Sequence, residues 1–301
     1  MIDLRLAGRA FLHSSRPSFV LLAPVCIWLG IATAWAAGGN LQPGLVLAVL
    51  LAGVFGHISV NLLNEHHDFQ TGLDFNTVRT PFSGGTGFLP QTPNAAPYVR
   101  VLGWLSLLLV CLLGGYLMWH AGWGLLLPGA LGVLLVLYYT SVLNRFPLLC
   151  WSAPGLGFGA VIMLGTHYAL TGSLNMAAIL AALVTFLQVN NLLLLNQFPD
   201  IAADRQAGRR HLLIAHGVRA GTWMYGLGVL AVPLVFAYAI MQAVWPVWSL
   251  LALIVWLPSV WAWRGACRYG EKLGQHHPSL AANVVANLLV PLVLGVTLVA
   301  A

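Results

Sequence analysis

Charge is what this chain has least of. Of its 301 residues only 7% are Asp, Glu, Lys or Arg, while 59% are hydrophobic. A soluble domain carries roughly 25% charged residues, so this chain cannot cover a water-facing surface. Acids are scarcest, seven against 13 basic residues. Cys26, Cys111, Cys150 and Cys267 are scattered, with no CxxC and no metal-ligand spacing, and read as packing residues. No GxxxxGKS/T sequence occurs, which excludes a P-loop. There is no basic–aromatic interleaving either, so the net charge of +6 points to membrane topology and not to nucleic acid.

What the chain does have is long apolar runs, near 18–37, 43–64, 99–119, 122–143, 152–171, 176–198, 219–242, 246–263 and 279–300. Each is close to the roughly 20 residues that cross a bilayer as a helix. The fold class is therefore an all-α polytopic membrane protein of about nine transmembrane helices, one domain over 1–301. The first run lacks a cleavage site and reads as a helix, not a removed signal. With nine spans all 20 charged residues fall on one side, and the connections near 38–42, 120–122, 172–175 and 242–248 carry none. By the positive-inside rule that side is cytoplasmic. The expectation is a multi-pass protein of the cell (inner) membrane, N-terminus and motif loops inside, C-terminus outside. The second and sixth runs both end in Asn-x3-Asp, at Asn64/Asp68 and Asn196/Asp200. That suggests two four-helix halves plus a ninth helix, with cytoplasmic cap loops and a binding site between the halves.

The polar chemistry concentrates in two stretches. In Gly56–Pro90, His57, Asn61, Asn64 and Asp68 are spaced 4, 3 and 4 apart, one face of a helix, and a Gly/Pro-rich loop with Asp74 follows. In Asn196–Leu212, Asp200 and Asp204 form an i, i+4 pair just past an apolar helix. Mg2+ takes oxygen ligands and is typically held by one or two carboxylates plus substrate phosphates. Two acid clusters in so acid-poor a chain suit a diphosphate clamped through metal ions. Arg79, Arg145, Arg209 and Arg210 stand among the acids and supply bidentate phosphate contacts, although positive-inside residues need no ligand. Arg79 is the strongest of the four, bracketed by the acidic loop and Gly84, Gly85 and Gly87, and Arg79–Pro90 reads as a lid. His57, His167, Gln188, Asn190 and Asn191 lie inside apolar runs. Interhelical hydrogen bonding accounts for them as well as function does, and Asn190 and Asn191 are placed to line an acceptor cavity.

The sequence Asn64-Glu65-His66-His67-Asp68-Phe69-Gln70-Thr71-Gly72-Leu73-Asp74 resembles the N-D-x-x-D-x-x-x-x-G-x-D signature of the UbiA-type intramembrane prenyltransferase superfamily. Asp200, Asp204, Gly208, Arg209 and Arg210 resemble its second motif, and Arg16-Pro17 and Tyr138-Tyr139-Thr140 are also similar. The form of the first motif looks most like the 1,4-dihydroxy-2-naphthoate branch of menaquinone synthesis. Glu65 stands where that family usually has Asp, and His211 where it commonly has Thr. The resemblance implies Mg2+ held by Asp68, Asp200, Asp204 and Glu65, with Asn64 and Arg79 in the catalytic set. It further implies Asn61, Asp74, Tyr139, Arg145, Asn190, Asn191, Asn196, Arg209 and Arg210 around the substrates. These would be a polyprenyl diphosphate and a small aromatic acceptor, with 4-hydroxybenzoate, homogentisate, chlorophyllide and haem as alternative acceptors. A transporter is the rival from another class, but its ionisable groups belong near mid-membrane.

Overall fold

The computed structural model describes residues 3–301, and among the described residues every regular element is helical. An amphipathic helix, α1 (Leu4–Ser14), precedes the bundle; Asp3 caps it by accepting from the backbone N–H groups of Arg5 and Leu6. The helices α2 (Pro17–Ala36), α3 (Pro43–Thr71) and α4 (Pro93–Ala121) follow, then the shorter α5 (Trp123–Tyr138). The second half holds α6 (Pro147–Thr171), α7 (Met176–Asn196), α8 (Leu212–Met241), α9 (Val247–Gln275) and α10 (His277–Val299). Eight of these are long and apolar enough to span a membrane, and α5 is the apolar helix that falls short of the expected nine. It stops at Tyr138 because the chain then turns inward, where Thr140 and Asn144 hydrogen-bond within the polar site.

The helices close into a ring. α2 packs on α3 and on α10, α3 on α4 and α5, α5 on α6, and α6 through α10 each on the next. The dry core lies toward the second half, where Cys26 and Leu29 of α2 meet Met163, Val184, Phe236, Val290 and Leu294. In lipid such packing replaces the hydrophobic effect as the force between helices. Close approach of α6 to α7 depends on two glycines: a Cβ on Gly155 would lie 2.5 Å from Phe186 O, and one on Gly159 2.7 Å from Ala182 O. From just after Gly155 and on through Gly159 the backbone is π-helical, over Leu156–Met163, following Pro154, which has no N–H to give the helix. The first-half helices do not fill the space between them.

Candidate functional site

That space is a cavity of about 770 Å³, and its wall changes character along its length. Val49, Ala52, Gly53 and Gly56 of α3, with Val110 of α4 and Val133 of α5, make one end apolar. Further along the same stripe of α3 come His57, Asn61, Asn64 and Asp68. α3 runs helical to Thr71, seven residues beyond the expected end of its apolar run, and Gly72 ends it in the left-handed conformation, φ 81°. The first motif is therefore rigid helix up to that point. Asn196 at the end of α7, with Asp200 and Asp204 beyond it, reaches the cavity from the other half. The Asp204 backbone N–H donates to Asp200 O at 2.8 Å, so this pair makes one helical turn.

Arg209 ties the two motifs together. It pairs with Asp68 and, at 3.0 Å, with Asp204 Oδ1. Asn64 Nδ2 donates to Asp68 Oδ2 at 3.2 Å, and Thr140 Oγ1 donates to Asn64 Oδ1 at 2.6 Å. His211 Nε2 lies 3.2 Å from Asp204 Oδ2. Burial pushes the Asp74 carboxyl up to about 7, with the charges of Glu65 and Asp68 adding to it. Burial, then the Asp204 carboxylate, likewise raise Asp200 to about 7. Burial works against the Arg209 charge, but Asp68 and Asp204 outweigh it and hold the guanidinium protonated. Asp74 Oδ2, Asn196 Oδ1 and Asp200 Oδ1 are buried without a hydrogen-bond partner. The loop from Ser83 to Gly85 forms part of the wall, and a Cβ on Gly85 (φ 69°) would meet Asp74 Oδ1 at 2.7 Å.

Nine of the expected residues share this wall: Asn61, Asn64, Asp68, Asp74, Tyr139, Asn196, Asp200, Asp204 and Arg209. Six do not, and each has a physical reason. Glu65 does not reach the cavity wall and is fully buried, paired with Arg16 at 2.8 Å and accepting from the Thr86 hydroxyl. Both its oxygens are thus committed. Arg79 is exposed and donates to the Asp74 carbonyl at 3.2 Å, passing beneath Gly87. Arg145 and Arg210 are exposed outside the wall. Asn190 Oδ1 accepts from the Gly155 N–H at 2.6 Å and Asn191 Nδ2 donates to Tyr225 O at 2.9 Å, so both clamp helices together. Sequence reasoning passed over Arg16, Thr140, Asn144 and His211 as wall residues. The signal for Arg16 was its place before Pro17; its backbone is left-handed, φ 53°, rare for a residue with a side chain.

Comparison with known proteins agrees with this architecture. The model of the UbiA prenyltransferase family matches residues 22–272. A 1,4-dihydroxy-2-naphthoate octaprenyltransferase of Bacillus subtilis (strain 168) is 31% identical over 183 residues, 58% of this chain and 55% of that protein. The matched part thus spans about half of that relative. The Escherichia coli (strain K12) protein of the same name is 29% identical, covering 69% of each chain. A 2-carboxy-1,4-naphthoquinone phytyltransferase of Synechocystis sp. is 22% identical over 89% of this chain and 84% of its own. Among solved structures, a UbiA homologue from Aeropyrum pernix K1 superposes with a TM-score of 0.70 at 14% identity, covering 94% of this chain and 98% of that one. A homologue from Archaeoglobus fulgidus bound to GPP and Mg2+ gives 0.66 at 14% identity, over 97% and 100%. By its matched family model, this chain belongs to the UbiA prenyltransferase family.

Proposed function

We propose that this protein transfers a polyprenyl group from its diphosphate to a small aromatic acceptor, with 1,4-dihydroxy-2-naphthoate first among the acceptors. The observation that carries the reading is the shape of one cavity: an acidic, Arg-bridged end drawn from both halves, continuous with an apolar tunnel. A diphosphate with a long hydrocarbon tail has that same division. The acceptor choice is supported by the form of the first motif and by the names of two relatives.

Mg2+ fits the residues present, because Asp74, Asn196 and Asp200 each offer a buried oxygen with no partner. Among the described residues no three acidic, His or Cys groups form a complete cage, so phosphate oxygens would finish the coordination. Asp68, Asp74, Asn196, Asp200 and Asp204 would hold the ion, and Glu65 is left out of that set. When bound, the cation supplies charge that stabilises the departing diphosphate. Arg209 keeps Asp68 and Asp204 at one place and remains protonated, ready to meet phosphate oxygens. Asn64, braced by Thr140, orients Asp68. The apolar wall from Val49 to Gly56 takes the hydrocarbon tail. Tyr139 lines the cavity, where an aromatic ring would stabilise an electron-poor carbon. On this reading the charged end of the bundle faces the cytoplasm of a cell (inner) membrane.

Purified protein incubated with Mg2+, a polyprenyl diphosphate and a panel of aromatic acceptors is expected to prenylate 1,4-dihydroxy-2-naphthoate most efficiently. Asp200→Ala should abolish both turnover and diphosphate binding. Retention of both in that variant would sink the clamp.

A further inference from the structure

His57 is a polar group of the cavity that diphosphate chemistry leaves unused. It stands on the α3 stripe four residues before Asn61 and eleven before Asp68, about 16 Å deeper along the helix axis. Its side chain is only 9% exposed, and its Nδ1 has no hydrogen-bond partner. Phe158, from the π-helical stretch of α6, meets the ring edge-on with centroids 4.9 Å apart. A buried polar atom without a partner costs about 1–3 kcal/mol, and π-helical insertions frequently mark functional sites. The unpartnered nitrogen thus points to a ligand group arriving at this depth, where the π-helical stretch sets Phe158 against the ring.

The depth identifies that group. Carboxylates, a cation and two phosphoryl units fill the polar end, and the reacting carbon lies next below them. A ring attacking this carbon from the side away from the diphosphate sits level with Asn61 and His57. Asn61 gives its Nδ2 to Ser15 O at 2.8 Å, and its remaining amide oxygen can accept a hydrogen bond but is too weak a base to take a proton. His57 offers a free nitrogen there.

We propose that His57 binds the acceptor by a ring hydroxyl and takes the hydroxyl proton as the carbon–carbon bond forms; this rests on the prenyl-transfer reading above. The proton passes to Nδ1 while the oxygen electrons feed the ring. A ring carbon bonds to the prenyl carbon, and the carbon–oxygen bond to diphosphate breaks with its electron pair leaving on the diphosphate. The ring is then a ketone. It enolises by losing the proton of the newly substituted carbon to water and regaining the one on His57. One proton is released in all, with no change of oxidation state.

The test separates acceptor use from diphosphate binding. In His57→Ala, kcat/KM for the acceptor is expected to fall about 100-fold, while the Kd for polyprenyl diphosphate with Mg2+, by titration calorimetry, stays within about twofold. His57→Asn keeps a hydrogen-bond acceptor near Nδ1 and should recover about tenfold of that loss. An acceptor whose hydroxyl is methylated should be used equally badly by wild type and both variants. The proposal is overturned if His57→Ala transfers at the wild-type rate, or if diphosphate binding falls together with transfer. Should His57→Ala not fold, His57→Asn decides: a loss confined to acceptor kcat/KM supports the role, and unchanged kinetics overturn it. Wild-type protein that prenylates no aromatic acceptor would instead refute the transfer reading itself.

Discussion

Arg209 is the residue on which both motifs converge. Removing it leaves Asp68 and Asp204 facing each other in a buried site, and breaking a buried ion pair from one side costs about 3 kcal/mol. Arg209→Ala is therefore expected to melt lower than wild type in detergent, and Mg2+ should recover part of the loss by replacing the missing positive charge. A melt unaffected by Mg2+ would count against a cation site between these carboxylates. The sign of the pH dependence follows from Asp74 and Asp200, which titrate at about 7 in the fold and near 4 in an unfolded chain. Between those values the folded protein binds more protons than the unfolded one. These two groups accordingly make the metal-free fold less stable as pH rises from about 4 to about 7. A cation needs them ionised, so Mg2+-dependent binding of polyprenyl diphosphate should strengthen several-fold between about pH 6 and about pH 8. Titrations at each pH measure it, and Asp74→Asn should flatten the profile. At this scale the sequence revealed the acids through their spacing, but not who neutralises them. Glu65 and Asp68 are three residues apart, yet one pairs with Arg16 from the N-terminal end of α2 and the other with Arg209 from beyond the second motif.

Helices were legible from their apolar runs, and their ends were not. α3 continues through polar residues to Thr71 and α8 begins at Leu212, because tertiary contacts, not hydropathy, hold those turns. Two glycines show how differently one substitution acts on such elements. Gly155→Ala places a Cβ 2.5 Å from the Asn190 side chain and Phe186 O, and overpacking of this kind costs about 1–3 kcal/mol. Gly217 interrupts α8 at φ 81° and ψ 164°, with nothing within 4 Å of an added Cβ. Gly217→Ala should also destabilise, by about 1–3 kcal/mol, but through backbone conformation alone. Thermal melts of both variants check the magnitudes. Asn190→Ala should relieve only part of the Gly155→Ala loss, because the Phe186 carbonyl stays in the way, while no neighbouring change should relieve Gly217→Ala.

At the scale of the molecule, the cavity exists only when both halves are in place. Ligand binding to it should therefore stabilise the whole bundle: a prenyl diphosphate with Mg2+ at 100 times its Kd adds about 2.7 kcal/mol. Both Asp68→Asn, from the first half, and Asp200→Asn, from the second, should lose that shift in Tm. A shift surviving in either would mean that one half binds alone. The sequence by itself determined the class of molecule, since so few charges cannot solvate a surface and so many apolar runs must cross lipid. It also determined which helix ends carry the chemistry, because acids this rare declare themselves by position. Tertiary structure decided which of those side chains share one space. Rotation about a helix axis sends Asn64 and Asp68 into the cavity and leaves Glu65 off its wall, and the fit of α6 on α7 turns Asn190 and Asn191 into clamps. Those choices depend on packing between residues far apart in the chain, which local spacing does not encode.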